Sequence, residues 1–165
     1  TALKSTVYTL IAVAAVAVLI ATLWLPVLQI YGMSMTPTLE DGDIVFSVKN
    51  VDIQTGDLVA FYYNNKILVK RVIAKPGETV NITEEGVVYV NDVRLDEPYL
   101  VDQTLGYCDV ELPYQVPDNR YFVMGDHRST SIDSRSSVIG CVTQEQVVGR
   151  IVFRVWPVSR LGAVT

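Results

Sequence analysis

Lys66-Ile67-Leu68-Val69-Lys70-Arg71-Val72-Ile73-Ala74 is the run on which the fold turns. It is apolar, partly β-branched and interrupted by two adjacent cations, as a strand in a β domain can be. Asp57-Leu58-Val59-Ala60-Phe61-Tyr62-Tyr63 precedes it, and Asn64-Asn65 separates the two. Two runs of this kind joined by two turn-forming residues predict a tight hairpin. Similar short runs recur at 43–48, 78–82, 87–90, 120–124 and 147–156. Pro76-Gly77, Glu85-Gly86 and Asn91-Asp92 punctuate them as turns. Residues 102–119, with Pro113 and Pro117, read as an irregular excursion. No helical period follows residue 30. The expected fold is mainly β, an antiparallel folded sheet or partly open barrel.

Upstream the character changes. From Val7 to Ile30 the chain runs 24 residues without a charge, and Lys4 is the one charged residue before Glu40. A helix of that length spans roughly 36 Å, at about 1.5 Å per residue. It has neither a heptad pattern nor a polar stripe. A cleaved signal peptide is a poorer description, because its apolar region is shorter and followed by a small-residue cleavage site. A core helix is poorer too, because a small β domain rarely buries one all round. Residues 1–30 therefore read as a single membrane anchor, with Trp24 at an interface and Pro26 ending the regular helix. Lys4 before the span and Glu40, Asp41 and Asp43 after it place the N-terminus in the cytosol and residues 31–165 outside.

The chain has 165 residues, of which 50% are hydrophobic and 19% charged, so disorder is excluded. With 13 basic and 18 acidic residues and no basic run, it is a poor nucleic-acid binder. One histidine and two cysteines leave little room for a metal site or a disulfide scaffold. Whether Cys108 and Cys141 pair is open. No cofactor is implied.

Three segments carry chemistry. Gly32-Met33-Ser34-Met35-Thr36-Pro37-Thr38-Leu39 places a serine just past the membrane end. It reads either as a loop serine or as a nucleophile, with Gly32 allowing close backbone approach and Pro37 fixing the turn. In the run 66–74, successive side chains face opposite ways, so Lys70 and Arg71 part company. Lys70 either snorkels to water from an edge strand, or is desolvated until it is neutral enough to act as a base. Met124-Gly125-Asp126-His127-Arg128-Ser129-Thr130-Ser131-Ile132-Asp133-Ser134-Arg135 is either a solvated loop or a shelf under an active site. Asp126, Arg128, Asp133 and Arg135 supply enough charge for an ion-pair network. His127 is a third option, as a triad base for Ser34.

Together these segments resemble the type I signal peptidases in their short, Gram-positive-like form. The Gly-x-Ser-Met-x-Pro-Thr-Leu box follows the anchor directly. Val69-Lys70-Arg71-Val72 with Pro76-Gly77-Glu78 is similar to the lysine box. Met124-Gly125-Asp126 through Ser131-Ile132-Asp133-Ser134-Arg135 is similar to the third box, and Gly149-Arg150 with Trp156-Pro157 to the closing strand. The resemblance implies a membrane-anchored Ser/Lys endopeptidase that cuts signal peptides from exported preproteins by acyl-enzyme chemistry. It implies Ser34 as nucleophile, Lys70 as general base and Ser131 as the residue orienting the lysine. Asp133 and Arg135 form a supporting ion pair, with Arg71 nearby. The Ser34 backbone N–H is one oxyanion donor. Gly32 stands where many relatives carry a hydroxyl, so the second donor is open. His127 and Thr130 stand where asparagines are common. The short stretch 91–119 leaves no room for a large accessory β domain. Small residues are implied at the first and third substrate positions before the cut. Ile30, Met35, Leu39, Val45, Ile67 and Val69 are the candidate pocket walls. Partners are preprotein signal peptides and the lipid bilayer, with neither metal nor nucleic acid. Two rivals keep the same residues: another kind of Ser/Lys peptidase, and a membrane-anchored β domain without activity.

Overall fold

A computed structural model describes residues 1–49 and 51–165. The side chains of Thr22 and Trp24 lie outside the described residues, so the interfacial position expected for Trp24 does too. One helix, α1, spans Ala2–Trp24 and is followed by twelve strands among the described residues. These are β1 (Val27–Gln29), β2 (Ile44–Val48), β3 (Leu58–Tyr63), β4 (Lys66–Ala74), β5 (Thr79–Ile82), β6 (Val88–Val90), β7 (Val93–Arg94), β8 (Tyr114–Gln115), β9 (Arg120–Met124), β10 (Val142–Thr143), β11 (Val147–Trp156) and β12 (Gly162–Ala163).

Within α1, Ala2–Ala21 is long and apolar enough to cross a bilayer, and none of it is buried against the rest of the chain. A helix of this length and composition is consistent with a membrane anchor. The charge-free run is divided at Leu25-Pro26. The helix stops at Trp24, and Val27–Gln29 pairs with β2 as an edge strand of the β domain. Proline at 26 has no N–H to continue the helical ladder.

The larger sheet is ordered β1-β2-β11-β3-β4-β9-β10, with β12 also on β11, and every pair is antiparallel. It folds over without closing into a barrel. The smaller sheet is β7-β6-β5-β8. Asn64 and Asn65 turn the β3–β4 hairpin at φ 44° and 62°. That doubly left-handed turn matches the twist of a two-residue hairpin, and asparagine tolerates it. Irregular pairing along β11 lets its first half lie on β3 and its second half on β2. Gly149 sits where the strands crowd, since a Cβ there would lie 2.9 Å from the Val48 carbonyl oxygen.

β4 is the strand that positions the site. It pairs with β3 along Lys66–Arg71, whereas β9 joins it only from Arg71 onward. Lys66–Lys70 therefore has an unpaired second edge among the described residues. Beneath it, Ile30, Met35, Leu39, Val45, Leu58, Ala60, Ile151 and Val164 form one core cluster. A second cluster, including Ile73, Phe122 and Met124, joins the two sheets, and a third centres on Phe61, Val72 and Val123. Each fully buried side chain of this size contributes about 1.5–3 kcal/mol relative to exposure.

Candidate active site

The Ser34 turn is held from three directions. Within it, Leu39 N–H donates to the Met35 carbonyl at 2.9 Å and Thr36 Oγ1 donates to the Met33 carbonyl at 2.9 Å. From the shelf, His127 N–H donates to the Ser34 carbonyl at 3.0 Å. From the far end of the chain, Arg154 donates to the Thr38 carbonyl and Arg160 to the Pro37 carbonyl. Both arginines also face Asp43, at 3.0 Å and 3.4 Å. Gly32 adopts φ 85°, and its N–H already donates to Asp41 Oδ1 at 2.7 Å.

Lys70 points inward and is 4% exposed. Its Nζ donates to Ser131 Oγ at 3.0 Å. Ser131 Oγ in turn donates to Asp133 Oδ2 at 2.7 Å. Asp133 is gripped by Arg135 through Nε at 2.9 Å and Nη2 at 2.8 Å, and by the Gly125 N–H at 2.9 Å. Gly125 lies where the shelf meets the serine turn. A Cβ there would stand 2.2 Å from Ser131 Oγ and 2.5 Å from the Ser34 carbonyl oxygen, so no larger residue fits.

The electrostatics follow from burial. Desolvation lowers the Lys70 pKa from 10.5 to about 8; Asp133 opposes this, Arg135 reinforces it and Asp126 opposes it more weakly. Burial pushes the Asp133 carboxyl up, but the bonds from Arg135, Gly125 and Ser131 outweigh it and hold the group below its ordinary range. The cation acting on Lys70 is thus Arg135 rather than its chain neighbour Arg71. Arg71 leaves by the opposite face of β4, as strand alternation requires. It forks onto Asp126 at 2.8 Å and 2.7 Å, and its guanidinium lies 3.7 Å from the centre of the Tyr99 ring. Thr38 Oγ1 donates to the same Asp126, which ties the serine turn to this pair. The shelf network is therefore not closed within its own loop: Arg128 pairs with Glu97 from the irregular stretch before β8.

Ser34 and Lys70 line one cleft of about 660 Å³ together with Val27–Gly32, Met35 and Lys66–Val69. Of the candidate pocket residues, Ile30, Met35, Ile67 and Val69 stand on its wall. Leu39 and Val45 do not; both are 0% exposed and lie in the core cluster that also holds Ile30 and Met35. The His127 ring takes another partner: Nδ1 lies 2.9 Å from Thr36 Oγ1, and Nε2 faces Asp102 at 3.9 Å. Cys108 and Cys141 are both free thiols. Among the described residues, no three His, Cys, Asp or Glu side chains cluster as metal ligands would.

Sequence reasoning missed Asp43, Arg154 and Arg160 around the serine turn, and Glu97 and Tyr99 beside the shelf. An unpaired-looking arginine in a strand, such as Arg154 in 147–156, is the signal that a distant acid must exist.

Comparison with known proteins places the chain in a family. The family described as signal peptidase, peptidase S26 matches residues 3–156. Signal peptidase I of Streptococcus pneumoniae serotype 4 is 32% identical over 173 residues, covering 81% of this chain and 83% of the relative. Signal peptidase I S of Bacillus subtilis strain 168 is 37% identical over 142 residues, covering 79% and 76%. A crystal structure of a signal peptidase I from Enterococcus faecalis V583 superposes with a TM-score of 0.50 at 34% identity, covering 61% of this chain and 97% of that one. With a match from Leu3 to Trp156 and a third of the residues shared over four-fifths of its length, the chain belongs to the signal peptidase family, peptidase S26, and is a hydrolase.

Proposed function

We propose that this chain is a single-pass, membrane-anchored serine endopeptidase that removes N-terminal signal peptides from exported preproteins, with Ser34 as nucleophile and Lys70 as general base. The observation that carries this is the Lys70 amine: buried, bonded to Ser131, lowered to about 8, and on the wall of the cleft that Ser34 lines. Membership of the family supports the substrate class, and the unburied helix α1 supports the anchor.

An extended substrate strand lies in the cleft and bonds to the free edge of Lys66–Lys70 by β-augmentation. Ile30, Met35, Ile67 and Val69 offer apolar walls, which favour small side chains at the first and third positions before the cut. Neutral Lys70 donates one N–H to Ser131 and keeps its lone pair for the Ser34 hydroxyl proton. Ser34 Oγ bonds to the scissile carbonyl carbon, and the Ser34 N–H stabilises the oxyanion. Collapse breaks the C–N bond, and Lys70 returns the proton to the leaving amine. A water molecule, deprotonated by the same amine, then hydrolyses the ester and frees Ser34.

Incubating the purified full-length protein in detergent with a preprotein and sequencing the product tests this. Wild type yields one new N-terminus preceded by small residues. Lys70→Arg, folded by circular dichroism, falls by at least about 10²-fold at every accessible pH, because a guanidinium does not deprotonate. Clear turnover by Lys70→Arg would remove lysine as the base and return His127 to that role.

A further inference from the structure

Residues 97–106 belong to no strand or helix, yet they contact the shelf repeatedly. At one end, Glu97 pairs with fully buried Arg128, and Tyr99 both donates to Glu97 at 2.8 Å and covers Arg71. In the middle, Asp102 accepts from the Ser129 N–H at 3.1 Å. At the other end, the Leu105 carbonyl accepts from Arg135 Nη1. Arg135 Nη1 also donates to the Arg128 carbonyl at 3.2 Å, and the Arg135 carbonyl accepts from the Asp109 N–H at 3.0 Å. Gly106 closes the contact. It adopts φ 63°, and a Cβ there would stand 2.3 Å from the Arg128 carbonyl oxygen and 2.7 Å from Arg135 Nη1. A distance of 2.3 Å to a backbone atom cannot be relieved by rotating a side chain.

We propose that segment 97–106 is a strap that positions the catalytic lysine, acting through Gly106 and the Leu105 carbonyl on Arg135, and from there through Asp133 and Ser131. None of its residues touches the reacting atoms. Its kinetic consequence rests on the Ser34/Lys70 reading above.

The direction of the effect follows from the charges around each group. Lys70 faces Asp133 and Arg135 on the shelf and Asp126 beyond β9, and its neighbour Arg71 is held away by Asp126. Arg135 faces Asp133 as its counter-charge, while Arg128 beside it is matched by Glu97. If the strap shifts, Arg135 moves off Asp133, and the undercompensated carboxylate favours a protonated Lys70. The amine then titrates at higher pH. The Ser131 hydroxyl, held by Asp133, loses its fixed direction as well.

Gly106→Ala and Gly106→Asn in the full-length protein test this without changing any charge. Asparagine tolerates a positive φ, so it separates the contact with Arg135 from backbone strain. Two readouts are taken. One is the pH profile of kcat/KM against a preprotein, with kcat and KM resolved. The other needs no substrate: the ¹³Cε resonance of Lys70 in lysine-labelled protein, assigned by its absence in Lys70→Arg. Both variants are expected to move the Lys70 midpoint up by about one pH unit. They lower kcat at pH 8 several-fold and leave KM within about twofold, as an interaction felt at the reacting groups does. Arg135→Lys alone should shift the midpoint likewise, and combining it with Gly106→Ala should add little, since both act through one guanidinium. A Lys70 midpoint unchanged in a folded Gly106 variant overturns the proposal, even if thermal stability falls. Where Gly106→Ala does not fold, Gly106→Asn and Arg135→Lys are the deciding variants, and an unchanged midpoint in them equally overturns the strap. A wild-type protein that cuts no preprotein refutes the proposed function instead, and the resonance titration still decides the strap.

Discussion

At the residue scale, Lys70 carries two opposed consequences of one burial. Burial makes its neutral form easier to reach, so if Lys70 is the base proposed above, activity should rise with pH along a limb centred at about 8, the value set by desolvation together with Asp133, Arg135 and Asp126. A kcat/KM profile of the wild type should show that limb, and a midpoint near 10.5 would mean that the amine is solvated in the free enzyme. The same shift costs stability. Between about pH 8 and 10.5 the unfolded chain binds more protons than the folded one, so stability rises with pH across that window. Below it both states hold the proton, and the full penalty, roughly 3 kcal/mol at about 1.4 kcal/mol per pH unit, is present. Lys70→Met should therefore be inactive yet more stable than wild type at pH 7, by about 1–3 kcal/mol after imperfect packing is allowed for. The gain should shrink toward pH 10.5. Denaturant midpoints at the two pH values decide it; no gain at pH 7 would show that the ammonium is well solvated when folded.

At the element scale, β4 is both scaffold and site. Its partner β3 and the Asn64-Asn65 turn set its register, and thereby which of Lys70 and Arg71 faces Ser131. Both turn residues have positive φ. Asn65→Val should destabilise the protein by about 1–2 kcal/mol, because a β-branched side chain is strained there, whereas Asn65→Gly should be nearly neutral. Equilibrium unfolding of the two variants checks this, and equal stability would mean that the turn can relax. Sequence reading found the runs 66–74, 120–124 and 147–156 at their observed bounds, because a turn residue or proline stands at or near their ends. It gave no run for β1, β7, β8, β10 or β12. Each has two or three residues, too few for a period to register, and each is a strand only because a longer neighbour pairs with it.

At the scale of the whole molecule, an exposed apolar helix leads into a sheet whose edge strand β1 is joined to the helix by Leu25 and Pro26 alone. β1 also walls the cleft. So short a connection holds the cleft close to the end of α1, and thus to the bilayer surface if α1 spans it. In the orientation expected from the sequence, N-terminus inside, the cleft would then lie on the outer face beside the membrane. Protease added to intact protoplasts should degrade residues 31–165, while an epitope placed before Lys4 survives until the membrane is breached. Protection of 31–165 with digestion of the N-terminal epitope would invert the orientation.

By itself, the sequence determined what depends on local pattern. The 24-residue span without charge, the strand runs, the paired asparagines of the hairpin and the order of the three polar boxes are properties of neighbouring residues. They were legible because side-chain periodicity and turn chemistry act over a few positions. Only the tertiary structure decided what each polar group meets. Strand alternation sends Lys70 and Arg71 to opposite faces, but it does not say which face is closed. Ser131 lies 61 residues from Lys70, Asp126 lies 55 from Arg71, and Glu97 lies 31 from Arg128. Leu39 and Val45, apolar like the cleft walls, went to the core instead, because apolarity selects burial without selecting the surface to be buried against. The lowered pKa of Lys70 belongs to the same class: it is set by burial of the amine and by Asp133, Arg135 and Asp126, which lie far from it in sequence and meet it only in the folded sheet.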